Sequence, residues 1–128
     1  MFFTTYYENK KGRVRYEIEF YDTEDGLCPV REFLDSLEPK MLAKTLRTID
    51  LLETNGPSLR EPQSSSMGDG IFELRTKQSS NITRVFYFFF VGKKAILTNG
   101  FVKKTQKTPR SELELARKYK ADYERRYL

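Results

Sequence analysis

Alternating polar and apolar residues give the first clear structural signal in this chain, at positions 13–21. Val14, Tyr16, Ile18 and Phe20 fall on one side of an extended backbone, because successive side chains of a strand point to opposite faces. The pattern therefore predicts a strand with one buried face.

Two helices are predicted next, and each begins at a proline, which suits the first turn of a helix. Positions 28–37 start near Pro29 and repeat apolar residues at three- and four-residue steps, which is typical of a helix with one buried face. The second helix opens at Pro39 and ends before a Gly-Pro pair at 56–57. The short connection between them predicts an antiparallel helical hairpin.

Three strands are predicted in the second half of the chain. Positions 57–69, with two prolines and three consecutive serines, are predicted to form a loop. Strands are predicted at 71–77, 82–91 and 94–102, joined by short turns. The middle one is apolar on both faces, as in a central strand that is covered on both sides.

A last helix is predicted to begin at Thr108-Pro109, where a hydroxyl would cap the helix and proline would take its first position. Glu112 falls in the first turn, where negative charge is favourable. Apolar and aromatic residues then recur at helical spacing: Leu113, Ala116, Tyr119, Tyr123 and Tyr127. This tyrosine stripe is interpreted as packing or a partner surface rather than as a catalytic set.

The order of these elements predicts one α+β domain over residues 1–128. It would consist of an N-terminal strand, a helical hairpin, a three-stranded antiparallel meander and a C-terminal helix. We expect the helices on one face of the sheet and the cations on the other face or at its rim. Cys28 is the single cysteine, and no apolar run approaches the length of a membrane span or signal core. A soluble, cytoplasmic protein that is not exported is therefore expected.

Charge is divided unevenly along the chain. Residues 1–74 hold nine Lys/Arg against fourteen Asp/Glu, whereas residues 75–128 hold fourteen against four. No acidic residue lies between Glu73 and Glu112, a stretch that holds nine cations and the strongest strand signal. A surface of one sign laid across a sheet predicts contact with a large anion such as a nucleic acid, although a basic half also keeps a protein soluble.

Several kinds of chemistry are absent from the sequence. Histidine is missing and cysteine occurs once, so triad catalysis and histidine or thiolate metal sites are excluded, and no metal or cofactor is expected. Gly68-Asp69-Gly70 lacks the Lys-Ser/Thr continuation of a phosphate-binding loop. An enzyme would have to use Arg, Lys, Tyr and carboxylates.

RNA cleavage by the 2′-hydroxyl is open to such residues. Arg84 and Arg75 would clamp the phosphate, and Lys103 and Lys104, whose pKa values neighbouring cations would lower, would transfer protons. Each also has a simpler interpretation: Arg84 paired with Glu73, Arg75 as an exposed strand cation, and the two lysines as a solvated turn. Lys93-Lys94 is interpreted as a plain hairpin turn, and Glu73 as an ion-pair partner rather than a base.

The sequence resembles the RelE/HigB-like toxins of bacterial type II toxin–antitoxin systems, in particular their phage-derived HigB-like branch. The resemblance spans roughly residues 14–123 and rests on segments at 29–34, 69–75, 83–88, 96–101 and 103–109. Of these, the Glu-Leu-Arg motif ending at Arg75 and the Phe-x-Lys-Lys motif beginning at Phe101 are the most specific.

The resemblance implies a RelE-like fold and ribosome-dependent cleavage of mRNA, which would inhibit translation. It also implies a helix-turn-helix antitoxin as partner, in a possible toxin–antitoxin hetero-oligomer. The site residues carried over are Arg84, Arg75, Lys103 and Lys104. The tyrosine or histidine base of some relatives has no equivalent here, and Tyr87 or a lysine would serve.

Lys77, Lys107 and Arg110 are predicted to bind RNA without taking part in the chemistry. Two other functions remain open: a ParE-type toxin that inhibits DNA gyrase by contact, and a non-catalytic RNA-binding module. The first shares the fold, and the second would tolerate exchanges of Lys and Arg that a catalytic site would not.

Overall fold

The computed structural model describes residues 15–103 and 108–128. Its helices are α1 (Pro29–Asp35), α2 (Pro39–Asn55) and α3 (Arg110–Tyr127), and its strands are β1 (Glu17–Phe20), β2 (Ser64–Gly68), β3 (Ile71–Gln78), β4 (Asn81–Phe90) and β5 (Lys94–Lys103). The predicted α+β class and the order of the predicted elements are confirmed. Val14, assigned to the first strand, lies outside the described residues.

The five strands form one sheet in the order β1-β5-β4-β3-β2. All neighbours are antiparallel except β1 and β5, which run parallel. β4 is the central strand, and its buried residues lie on both faces, as its uninterrupted apolar sequence predicted. None of the helices in the described ranges is long and apolar enough to span a membrane.

Both faces of the sheet carry helices, so the prediction that helices cover only one face was wrong. Val85 and Tyr87 of β4 join a core with α1 and α2, whereas Phe86 and Phe88 join clusters with α3. α1 lies over β5 and α2 over β3, while α3 packs on β5 and β4.

The tyrosine stripe of α3 packs against the chain's own sheet, which is one of the two roles left open for it. Tyr123 is buried against Phe88, with ring centroids 5.6 Å apart. Tyr119 stacks on Tyr21 at 4.7 Å, and only Tyr127 is largely exposed.

Strand β2 was missed, because its sequence Ser-Ser-Ser-Met-Gly lacks the β-branched and aromatic residues that strands favour. It exists through pairing with β3, where Ser64 lies opposite Leu74. Ser64 is buried and its hydroxyl bonds to the Tyr87 hydroxyl. Tertiary contacts therefore override local preference in this strand.

A β-bulge in β5 sets which side chains share a face with β4. Tyr87 pairs with Leu97 but Val85 pairs with Gly100, so β5 carries one extra residue between these pairs. Because the side-chain period of a strand is two, this residue shifts every later side chain of β5 to the other face. Lys103 thereby comes to lie on the same face as Arg84.

Gly100 provides a test of how closely α1 packs on the sheet. A Cβ at this position would lie 2.5 Å from Cδ2 of Phe33 and 3.1 Å from the Arg84 carbonyl oxygen. Gly100→Ala is therefore expected to lower the free energy of unfolding by about 1–3 kcal/mol, measured by urea denaturation. In the double variant with Phe33→Leu, the loss should be smaller than the sum of the single losses. Additive losses would show that the Phe33 ring does not restrict this position.

Candidate functional site

Three cations surround one buried carboxylate on the α3 face of the sheet; we call this group the cation cluster. Glu73 and Arg75 project from β3, and Arg84 projects from β4 directly opposite Arg75. Lys103 ends β5, opposite Ile82 on β4. Because residues two apart on a strand share a face, strand register alone places these four side chains together.

Glu73 is the centre of the cluster and is only 2% exposed. Its Oε1 accepts a hydrogen bond from Nη1 of Arg84 and lies 3.8 Å from Nε of Arg75. Its Oε2 accepts a hydrogen bond of 2.9 Å from the Thr108 hydroxyl. Both oxygens are thus engaged in holding neighbours, as the ion-pair interpretation of Glu73 predicted.

Arg84 is buried, with 8% of its surface exposed, although it carries a permanent charge. Its pairing with Glu73 confirms the simpler interpretation of this residue, and it lies on the central strand of the sheet. Within the described part of the chain, its buried Nε has no hydrogen-bond partner. A guanidinium held at one nitrogen retains donors for an additional anion.

Arg75 lies at the solvent side of the cluster. Its Nη2 lies 3.3 Å from Oε1 of Glu61, a carboxylate in the loop before β2. The Arg75 side chain is 26% exposed and that of Glu61 is 70% exposed. Arg75 therefore lies between the buried Glu73 carboxylate and the exposed Glu61 carboxylate.

Lys103 is buried at 9% exposure, which makes it an unusual lysine. Burial lowers its pKa, the charges of Arg84 and Arg75 lower it further, and Glu73 acts in the opposite direction. Neighbouring cations, which the sequence predicted as the cause, lower the Lys103 pKa less than burial does. A lysine with a lowered pKa exchanges protons more readily near neutral pH.

Tyr87 is separated from the cluster, contrary to its placement in the predicted site. It lies on β4 three residues from Arg84 and therefore points to the opposite face, into the core beneath α1 and α2. It is 1% exposed, and burial raises its pKa, although its hydrogen bond with Ser64 lowers it. The structure thus gives this phenol a packing role and no access to a substrate beside Arg84.

The other predicted residues lie at the margin of the cluster or outside the described ranges. Lys104 and Lys107 fall outside the described residues and stay predictions. Lys77 is exposed near the end of β3. Arg110 begins α3 with a 91% exposed side chain that lies 3.7 Å from Glu114.

Thr108 was predicted to cap α3, and this prediction was wrong. Its hydroxyl bonds to Glu73, and Pro109 occupies the N-cap position, where its carbonyl accepts bonds of 3.1 and 3.3 Å from the backbone N–H groups of Glu112 and Leu113. The hydroxyl therefore ties the start of the helix to the cluster. No sequence signal separates these two uses of a threonine before a helix.

Metal ligands are not grouped in the described ranges, which contain no set of three or more His, Cys, Asp or Glu residues suited to a metal ion. The chemistry available to the cluster is electrostatic stabilisation by two guanidinium groups and proton transfer by one amine.

Comparison with known protein families matches residues 32–121 to a model described as phage derived protein Gp49-like (DUF891). The matched stretch exceeds half of the chain and contains all four residues of the cation cluster. No curated protein matches the sequence.

The role of Glu73 in holding the cluster predicts a large stability effect. Glu73→Gln keeps the size of the side chain but leaves Arg84 buried without its counter-charge, so a loss of about 3–5 kcal/mol in the free energy of unfolding is expected. Glu61→Gln breaks the exposed pair with Arg75 and should cost less than about 1 kcal/mol. Urea denaturation of both variants checks this, and equal losses would contradict the central place of Glu73.

Proposed function

This chain belongs to the family of phage-derived Gp49-like proteins, known as RelE/HigB-like toxins, and we propose that it is a toxin that cleaves mRNA on the translating ribosome. Membership supports the role of toxin in a toxin–antitoxin system, with an antitoxin as partner. Nuclease activity, the ribosome and mRNA are the further steps of this proposal.

The observation that supports nuclease activity best is the burial of two positively charged side chains. Arg84 and Lys103 are each at least nine-tenths buried beside a single buried carboxylate, and Arg75 adds a third cation. Buried cations are costly unless they are paired. A phosphate that enters beside Arg84 would complete the charge balance of the cluster.

The proposed reaction is attack of a ribose 2′-oxygen on the adjacent phosphorus. The 2′-hydroxyl loses its proton, the new P–O2′ bond forms, and the P–O5′ bond breaks. The leaving 5′-oxygen takes up a proton, so the products are a 2′,3′-cyclic phosphate and a 5′-hydroxyl. Arg84 and Arg75 would stabilise the negative charge that builds on the phosphoryl oxygens in the transition state.

Lys103 is the proposed proton carrier. As an amine it accepts the proton of the 2′-hydroxyl, and as an ammonium it returns a proton to the leaving 5′-oxygen or to water. The lowered pKa supports this assignment, because it increases the amine fraction near neutral pH. Lys104 is the next residue along the chain and stays a candidate for the same work. Lys107 and Arg110 are proposed to bind flanking phosphates.

The ribosome would supply the fixed orientation of the RNA that the cluster alone does not provide. Without histidine, lysine amines would have to carry out both proton transfers, so orientation of the RNA must contribute much of the rate. A ribosome that holds the message in a fixed geometry would provide that orientation. The antitoxin would prevent this encounter by forming a hetero-oligomer with the toxin.

Loss of Arg84 is expected to abolish the toxic effect. Arg84→Ala removes the most buried phosphate-binding group and should reduce cleavage about 10²–10³-fold in reconstituted translation with labelled mRNA, with loss of growth arrest in cells. Arg31→Ala, an exposed arginine on α1 and the opposite sheet face, is the control and should keep wild-type activity. Intact mRNA with the wild-type protein, accompanied by DNA breaks in cells, would instead support gyrase as the target.

The pH dependence of cleavage tests Lys103. The rate should rise as pH increases through the lowered Lys103 pKa and then level off, because only the amine accepts a proton. Arg75→Gln removes a charge that lowers this pKa, so the rise should move to higher pH. Arg75→Lys keeps the charge and should leave the position of the rise unchanged. Single-turnover cleavage at saturating ribosome measures both profiles, and identical profiles for the two variants would remove Lys103 from the proton transfer.

A further inference from the structure

A groove of about 600 Å³ lies between α2 and the outer edge of β3, on the opposite face of the sheet from the cation cluster, and shares Arg75 with it. We call it the α2 groove. The residues that matter for its chemistry are Lys44, Arg47, Leu51, Arg75, Lys77 and Ile82.

The groove exists because the pairing of β2 with β3 reaches only as far as Leu74 along β3, which leaves the rest of that edge of β3 open. The last pair joins Ser64 to Leu74, and the Arg75 backbone N–H still donates to the Gln63 carbonyl at 2.7 Å. Beyond this point no described strand pairs with β3 on that side. Helix α2 is fixed above the open edge by a hydrogen bond of 2.8 Å between the Thr76 and Thr48 hydroxyls.

Cations dominate the rim of the groove. Lys44 and Arg47 project from successive turns of α2, and Arg75 and Lys77 line the groove from β3, whereas Asp50 is the one acidic residue among the described residues of the lining. Nζ of Lys44 donates to the Lys77 carbonyl oxygen at 3.2 Å, which brings the helix cation to the strand edge. Such a rim complements a polyanion that lies along the groove.

Arg75 belongs to both the groove and the cation cluster. A strand bound with its scissile phosphate beside Arg84 would meet Arg75 next and would pass over the open edge of β3 to enter the α2 groove. The floor contains Leu51 of α2, a partly exposed apolar side chain against which a base can lie. The volume falls within the range of about 300–1,000 Å³ that is typical of small-ligand sites and fits one nucleotide better than a duplex.

We propose that the α2 groove binds the single-stranded mRNA next to the scissile phosphate, with Lys44 and Arg47 on its backbone and one base on the apolar floor. This proposal rests on the proposed function, since it names a binding site for the same substrate. It makes α2 a part of the RNA-binding surface, in addition to Lys77, Lys107 and Arg110.

Salt dependence of RNA binding tests the backbone contacts. The probe is a short single-stranded RNA with 2′-O-methyl groups, which removes the nucleophile and prevents cleavage. Each phosphate contact on a single strand contributes about 0.7 to the slope of log K against log salt, so Lys44→Ala/Arg47→Ala should reduce the slope by about 1.4. The control Arg31→Ala/Lys40→Ala removes the same charge from exposed residues of α1 and α2 outside the groove and should leave the slope unchanged.

Ribosome-dependent cleavage by the same variants distinguishes failure of the groove proposal from failure of the nuclease proposal. If the wild-type protein cleaves and the groove variant matches the control in both slope and rate, the groove is overturned and the nuclease stands. If the wild-type protein does not cleave, the proposed function fails first. A groove variant that loses binding to purified antitoxin while its RNA slope is unchanged would also overturn the proposal, since the groove would then hold protein.

Crosslinking identifies the part of the message that enters the groove. Messages with a single 4-thiouridine at successive positions around the mapped cleavage site, and a 2′-deoxy group at that site, are bound to wild-type protein on the ribosome and irradiated. A crosslink from one position to the peptide that contains Arg47 and Leu51 is expected. Crosslinks from every position only to the ribosome or to other surfaces of the toxin would overturn the assignment.

Discussion

The contact between the buried Glu73 carboxylate and Arg84 is the interaction on which the rest of the site depends. A guanidinium is rarely buried without a partner, and this one lies on the central strand of the sheet. Glu73 provides the counter-charge from the adjacent strand and also approaches Arg75. Its second oxygen accepts a hydrogen bond from the Thr108 hydroxyl, so the same carboxylate fixes the start of α3 against the sheet. One acid thus holds together elements that are far apart in sequence.

Backbone geometry provides the second constraint, since charge alone would not bring Lys103 to Arg84. Counting in steps of two from Ile96 on β5 puts residue 102, and not 103, on the face of the cluster. The bulge between the pairs Tyr87–Leu97 and Val85–Gly100 corrects this count by one residue. The buried Asn99 lies at this irregularity and donates to the Glu112 carbonyl at 3.2 Å, which links the bulge to the first turn of α3.

The sequence was sufficient for the fold class, because hydrophobic periodicity is a local signal. It also singled out Arg75, Arg84 and Lys103, which strand register brings together around Glu73, while their roles stay predictions. It was insufficient wherever the answer depended on contacts between distant segments. β2 forms by pairing with β3 despite its poor propensity, and α3 covers a face that the pattern of its own residues does not identify. Tyr87 was a chemically reasonable base, but the period of two along β4 turns it away from Arg84. These errors concern which face a residue occupies, a property set by register and not by residue type.

Glu73 also sets the Lys103 pKa and the net positive charge that the cluster presents to an anion. The positive charges of Arg84 and Arg75 lower the pKa of Lys103, and the same charges would stabilise a phosphoryl transition state. Glu73 opposes both effects, since it raises the Lys103 pKa and neutralises part of the field that a phosphate would meet. Without this acid the cations would repel one another in a buried place, and with a second buried acid the attraction for phosphate would be largely cancelled. A single buried carboxylate among three cations therefore permits their burial while it leaves net positive charge in the cluster, which the proposed anionic substrate would meet.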